Sequence, residues 1–269
     1  MSLAAIRHGS RVWRQLLVQA FTMSLIYRAQ AAIWMIAGVM PLAMMMIWME
    51  LAKAGPMAGY GRDDFALYFM GMFLVRQLTP IWCILLLDRG IRKGELSPLL
   101  LRPMPPIWQH VAEHLGELLV RLPVILVVFV LGLWLTDVIT RLDPWHLPLL
   151  ILALAGAWTI FFLLHYCVGL LAFWIDGALA LEPLLWYLYV ILGGSIVPLD
   201  LFPPAIGAIL HWLPFAYILD FPVQIMMGRL DAGGMLQGFI LQYGWVLILV
   251  VIRQLVWQAG LKRFSAAGA

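Results

Sequence analysis

Long apolar stretches alternate with short polar ones along almost the whole chain of 269 residues. A helix needs about 20 apolar residues to cross a ~30 Å hydrocarbon core. We assign six membrane-crossing helices to this pattern, at about 29–51, 65–87, 118–136, 147–174, 183–198 and 236–261. The pattern predicts an all-α integral membrane protein with six transmembrane helices.

Two segments follow a different pattern. In residues 3–28, Arg7, Arg11 and Arg14 recur at helical spacing opposite an apolar face. This predicts an amphipathic helix in the membrane interface, although a solvated lead-in to the first span is the alternative. Residues 199–229 are apolar but broken by prolines, which exclude a straight spanning helix. We predict two short re-entrant helices there, dipping into the outer leaflet between the fifth and sixth spans.

The most charged interval, DRGIRKGELSPLLLRP at 88–103, lies between the second and third spans. Gly90, Gly94 and Pro98 predict a bent elbow with a short helix at about 95–101. Leucines in that helix have little within the segment to bury them, and charges flank them. Such a surface is typical of a contact site for a soluble partner. The predicted docking residues are Glu95, Leu96, Leu99, Leu100 and Arg102.

Composition and charge fit this assignment. The chain is 64% apolar and 12% charged, whereas soluble domains carry about 25% charged residues. Little room remains for a soluble domain, and a net charge of +3 gives no reason to expect a nucleic-acid partner. Ten lysines and arginines fall on the side of the termini and the elbow, and four on the other side. This bias places both termini and the elbow in the cytoplasm.

Arg76 lies near the middle of the second span, beside Gln77. A central arginine costs ~2.5–3.5 kcal/mol on insertion scales, so it should face protein or water. Two roles fit: an ion pair or carbonyl cap that fixes helix packing, or a cationic lining of a transport path. In the fourth span, His165 could relay a proton or bond to a neighbouring helix.

The sequence HVAEH matches the H-x-x-E-H zinc pattern through His110, Glu113 and His114. Histidines four residues apart share a helix face, as zinc ligands do, but a third ligand is needed. Glu117 is the only neighbour on that face. A polar face at the headgroup level is the alternative. A membrane-embedded enzyme, zinc-dependent or lipid-modifying, therefore stays a second possible function.

The order of these elements resembles the membrane subunit of a type-2 ATP-binding cassette (ABC) exporter, in its compact six-span branch. The sequences that carry the resemblance are GELSPLLLRP at 94–103, FPPAIGAILHWLPF at 202–215 and LVWQAGLKRFSAAG at 255–268. The resemblance covers nearly the whole chain, as a single permease domain over 1–269. No GxxxxGK[ST] motif occurs in the sequence, so ATP would be bound by another polypeptide.

The resemblance implies a transport subunit without catalytic residues or a cofactor of its own. It implies two copies of an ABC ATPase, which bind ATP and Mg and dock on the elbow. A second copy or a sister permease would complete the path. The implied location is the bacterial cytoplasmic (inner) membrane, as a multi-pass protein surrounded by membrane lipid. The implied substrate is hydrophobic or amphipathic: a lipid, drug, peptide or glycan-linked molecule.

Overall fold

The computed structural model describes residues 3–26, 33, 35–36, 38–79, 81–102 and 104–264, with side chains from residue 11 onward. Within this part of the chain the backbone forms helices and turns, and the one extended pairing is a bridge between Met57 and Tyr60. The prediction of an all-α protein is confirmed. Three predicted features fall partly outside the described residues: the start of the first span, the Arg7 side chain and Pro103.

Twelve α-helices are present among the described residues. Their bounds are α1 Leu3–Ile26, α2 Met40–Leu51, α3 Arg62–Leu78, α4 Cys83–Arg92, α5 Ser97–Leu100, α6 Pro106–Leu135, α7 Leu147–Leu170, α8 Glu182–Leu192, α9 Pro204–Leu210, α10 Pro214–Ile218, α11 Asp220–Met226 and α12 Ala232–Arg263. Several begin at proline, which lacks the N–H that the first helical turn leaves unbonded. The longest, α12, begins where the Asp231 carboxylate accepts a hydrogen bond from the Gly234 amide at 2.8 Å.

Four segments of the described chain are long and apolar enough to cross a membrane: Arg62–Arg92, Pro106–Leu135, Pro144–Phe173 and Ala232–Arg263. Each overlaps one predicted span and begins before it. Helix α6 begins at Pro106, twelve residues before the third predicted span, and continues into that span without a break. By contrast, α8, at the predicted fifth span, is only 11 residues long. The total of six spans therefore stays a prediction.

Helix α3 lies at the centre of the protein. Every residue from Phe65 to Gln77 is buried, so the helix is enclosed on all sides. It packs against α2, α6 and α11, while α4, which begins at Cys83 after the non-helical residues 79, 81 and 82, packs against α7. The second predicted span is thus two helices, and the first of them, α3, is the more buried.

Helix α1 confirms the helix predicted for the arginine-rich segment, and it lies along α6. Arg11 and Arg14 are exposed, whereas Ala20 is buried. The two helices approach closely because Gly116 of α6 has no side chain. A Cβ atom there would lie 2.6 Å from the Ala20 Cβ and 2.7 Å from the Phe21 backbone nitrogen.

The proline-rich segment after α8 forms three short helices, α9 to α11, where the sequence suggested two. Pro204 and Pro214 start α9 and α10, and Pro222 lies in the first turn of α11. Helix α11 is buried throughout and packs between α3 and α7. These helices lie at the end of the protein opposite the elbow, since α3 begins beside them and the elbow follows α4.

Candidate functional site

The elbow folds as a tight turn followed by the four-residue helix α5. The Lys93 amide donates to the Arg89 carbonyl at 2.9 Å and closes α4, after which Gly94 adopts φ 73°. That left-handed conformation favours glycine, because a Cβ atom would strain it. The Leu96 amide then donates to the Gly90 carbonyl at 2.9 Å, so the chain folds back on α4. The helix expected at about 95–101 is present, and it is shorter than expected.

Charged groups on the elbow are paired in a way that fixes its shape. Arg89 lies 3.3 Å from Glu95, and Arg92 lies 3.4 Å from Asp88. Arg102 donates to the Gln109 side chain of α6 at 3.0 Å, which ties the far end of the elbow to the next helix. The two docking residues predicted from their charge, Glu95 and Arg102, therefore both hold the elbow together.

The three predicted docking leucines differ in exposure. Leu96 is only 2% exposed and belongs to the hydrophobic core, so its side chain is not on the surface of this structure. Leu99 is half-buried and packs against the core, while Leu100 is exposed. Leu101, which is not among the predicted docking residues, is 88% exposed. The apolar surface of the elbow is therefore formed by Leu100 and Leu101, with Leu99 supporting it.

Arg76, near the end of α3, lies inside the protein between α2 and α8. Its Nη1 donates to the Met40 sulfur at 2.9 Å and lies 3.4 Å from the Ser195 hydroxyl oxygen. Its guanidinium carbon is 4.9 Å from the centre of the Trp186 ring. The Nε atom has no hydrogen-bond partner, and no carboxylate of the described residues pairs with this arginine. The ion pair considered from the sequence is therefore absent from the described part.

Gln77, the other predicted pathway residue, is buried beside Arg76. Its side-chain amide nitrogen donates at 3.0 Å to the carbonyl of Met35, which lies in the chain before α2. Two residues further, the Thr79 hydroxyl lies 3.1 Å from the Tyr189 hydroxyl of α8. The side chains of Gln77 and Thr79 thus connect the end of α3 to the chain before α2 and to α8.

The histidines of HVAEH make structural contacts. His110 Nδ1 lies 3.3 Å from the Glu113 carboxylate, and His114 Nε2 accepts a hydrogen bond from the Trp82 amide at 3.3 Å. Both rings are buried against aromatic side chains of α7. The described residues contain no group of three or more His, Cys, Asp or Glu that could hold a metal.

In α7, the His165 side chain bonds within its own helix rather than to a neighbouring one. Its Nδ1 lies 3.0 Å from the carbonyl oxygen of Phe161.

A network of acids and tyrosines at the opposite end of the protein was not selected from the sequence. The Tyr60 hydroxyl donates to Asp200 Oδ2 at 2.6 Å, and the Tyr68 hydroxyl lies 3.0 Å from Asp220 Oδ1. Gln224 joins the two pairs, with its amide nitrogen 3.3 Å from each of these carboxylate oxygens. The network connects the loop before α3, α3 itself and the segment 199–226.

Comparison with known proteins gives one match. The family described as "ABC-2 family transporter protein" matches residues 37–268, which is most of the chain. Neither a curated protein nor a solved structure matches significantly. The match begins just before α2 and therefore includes the elbow, Arg76 and the network of acids and tyrosines.

Proposed function

Because the chain belongs to the ABC-2 transporter family, we propose that it is the membrane permease subunit of an ATP-driven exporter. The family match over residues 37–268 is the observation that carries this proposal. A separate ATPase would bind ATP and Mg, and the chain itself would carry out no hydrolysis. The substrate would be hydrophobic or amphipathic and would move across the cytoplasmic membrane between two permeases, either two copies of this chain or this chain and a sister.

The elbow supports the proposal as the docking surface for the ATPase. It presents Leu100 and Leu101 outside the helical bundle, with paired charges around them. Exposed apolar side chains rimmed by charge are typical of protein contact sites. The surface is also mechanically connected to the membrane helices, because Leu96 packs into the core and Arg102 is bonded to α6. A movement of the bound ATPase would therefore be transmitted to α4 and α6.

This function requires the elbow to face the cytoplasm, as the charge bias predicts. Cysteines can be placed at exposed Lys93 in the elbow and exposed Thr140 at the opposite end, after Cys83 and Cys167 are replaced by alanine. In intact cells we expect an impermeant maleimide to label Thr140→Cys and not Lys93→Cys. After the cells are permeabilised, both should be labelled. Labelling of Lys93→Cys in intact cells would contradict this orientation.

Purification from the native membrane tests the function itself. We expect the tagged chain, extracted in mild detergent, to carry with it a polypeptide that contains a nucleotide-binding fold. The complex should hydrolyse ATP, and vanadate should inhibit that hydrolysis. The chain expressed alone is the control and should have no ATPase activity. A chain that is isolated folded from its native membrane without such a partner would overturn the proposal.

A further inference from the structure

A cavity of about 540 Å³ lies at the end of the protein opposite the elbow, between α10, α11 and the start of α12. This volume is typical of sites for small molecules. Both acids of the network line it, together with Gln224 and the aromatic side chains of Trp212, Tyr217 and Phe221. Asp220 is only 3% exposed, whereas Asp200 and Trp212 are exposed at the rim.

The two carboxylates have no ion-pair partner among the described residues. Arg229 also lines the cavity, but its guanidinium is held elsewhere. It lies 3.7 Å from the centre of the Tyr60 ring and donates to the Gly59 carbonyl at 3.4 Å. A buried carboxylate without a counter-ion is costly, and either a proton or a bound cation removes that cost.

One carboxylate oxygen remains free to bind a ligand. Asp220 Oδ1 lies within hydrogen-bond distance of Tyr68 and Gln224, while Oδ2 has no hydrogen-bond partner in the described part of the chain. The Tyr68 hydroxyl has a single proton but two acceptors in reach, since the Gly194 carbonyl lies at 2.9 Å. The carboxylate is therefore incompletely satisfied by the protein.

The remaining walls favour a cation with an apolar body. Aromatic faces attract cations within about 6 Å of the ring centre. Arg229 on the Tyr60 ring shows that this region already holds one positive group in this way. Trp212 and Phe221 line the cavity without a cation on their rings in the described part.

We propose that this cavity binds an organic cation with an apolar body, its charge beside Asp220 and Asp200 and its apolar groups against Trp212 and Phe221. This inference rests on the proposed function in one respect, that the bound cation is a transported substrate. It names the chemical class of that substrate. The binding site itself can be tested without the ATPase.

Binding should compete with protonation of Asp220. Burial, and next the neighbouring charge of Asp200, raise the pKa of the Asp220 carboxyl to about 7. The other ionisable groups that face it are Tyr60 and Tyr68 of the network, Tyr217 of α10, and His211 and Arg229 of the cavity wall. A cation binds the deprotonated carboxylate, so affinity should rise roughly thirtyfold between pH 5.5 and 8.5.

The test uses two ions of the same shape and opposite charge, tetraphenylphosphonium and tetraphenylborate. Equilibrium dialysis measures their binding to the full chain in nanodiscs, and empty nanodiscs give the background. We expect saturable binding of the phosphonium alone. Asp220→Asn should weaken it at least tenfold at pH 8.5 and remove its pH dependence, while Asp200→Asn and Trp212→Ala should each weaken it severalfold. Asp176→Asn, an exposed acid near the other end of α7, is the matched control and should bind normally.

Three results would overturn the inference: equal saturable binding of the borate, unchanged phosphonium binding in both Asp220→Asn and Asp200→Asn, or no saturable phosphonium binding at either pH. The third result would mean that the carboxylates of Asp220 and Asp200 are neutralised by protonation alone. If Asp220→Asn does not fold, the two variants at the exposed rim still decide the matter. A chain that binds phosphonium but recruits no ATPase would contradict the proposed function only.

Discussion

Leu101→Asp is expected to release the ATPase from the permease while the permease itself stays folded in the membrane. Leu101 is 88% exposed and follows α5 directly, so its replacement disturbs no contact within the core. A carboxylate at this position would be desolvated in the docked complex without a partner. Leu100→Asp should act in the same direction, with some loss of stability because Leu100 is less exposed.

The expected effect is large because one or two apolar anchors often carry most of the energy of a contact. Loss of an anchor costs about 2 kcal/mol or more, which weakens association roughly thirtyfold. ATPase recovered with the purified permease should fall accordingly, and substrate should no longer stimulate ATP hydrolysis in reconstituted vesicles. Membrane insertion and the thermal stability of the permease should be unchanged in Leu101→Asp.

Two variants separate loss of the apolar contact from the added charge. Leu101→Met retains an apolar side chain of similar size and should keep the ATPase bound. Lys93→Asp makes a larger charge change on the same exposed elbow without removing a leucine, so it tests the effect of the charge alone. If Leu100→Asp and Leu101→Asp both retain the ATPase with normal stimulated turnover, the elbow is only a connector between α4 and α6.

The elbow also shows how far its structure could be predicted from the sequence. The glycines and proline indicated a bend with a short helix, and that much is correct. Which leucines face outward could not be predicted, because a four-residue helix has no repeating pattern that defines a face. The hydrogen bond from Leu96 to Gly90 turns Leu96 inward, and that bond depends on the conformation of Gly94.

The network around Asp220 could not be predicted for a different reason. Tyr60 and Asp200 are 140 residues apart, and Tyr68 and Asp220 are 152 apart. Packing of α11 against α3 brings the second pair together. One signal was present in the sequence, since Asp200 and Asp220 are the two acids within the largely apolar stretch from 183 to 228. An acid in such a stretch is a candidate functional residue even before its partner is known.

For Arg76, the energetic cost of a charge in the middle of a span was evident from the sequence, but the groups that surround it were not. The structure encloses it among a thioether, a hydroxyl and an indole ring, with the Nε atom unbonded. None of these groups neutralises the charge. These contacts leave the charge without a counter-ion, and we propose that Arg76, with Gln77 beside it, contributes to the transport path.

Arg76→Met is accordingly expected to leave thermal stability in detergent unchanged or higher, and to lower transport at least tenfold while the ATPase stays bound. Replacing buried charges by apolar side chains of similar volume is often neutral or stabilising. Arg76→Lys keeps the charge but loses the planar fork of five donors, so it should retain partial transport. Melting temperature and substrate uptake into inverted vesicles would be measured for each variant.

Arg121 supplies the matched comparison, because it is an equally buried arginine that does have an acidic neighbour. It is 2% exposed in α6, and its Nε lies 3.5 Å from the Glu117 carboxylate. Arg121→Met would leave the partly buried Glu117 carboxylate without its counter-charge, so that variant should lose stability. If Arg76→Met instead loses stability as Arg121→Met does, with transport falling in proportion, Arg76 is a packing residue. Normal transport by a stable Arg76→Met variant would exclude both roles.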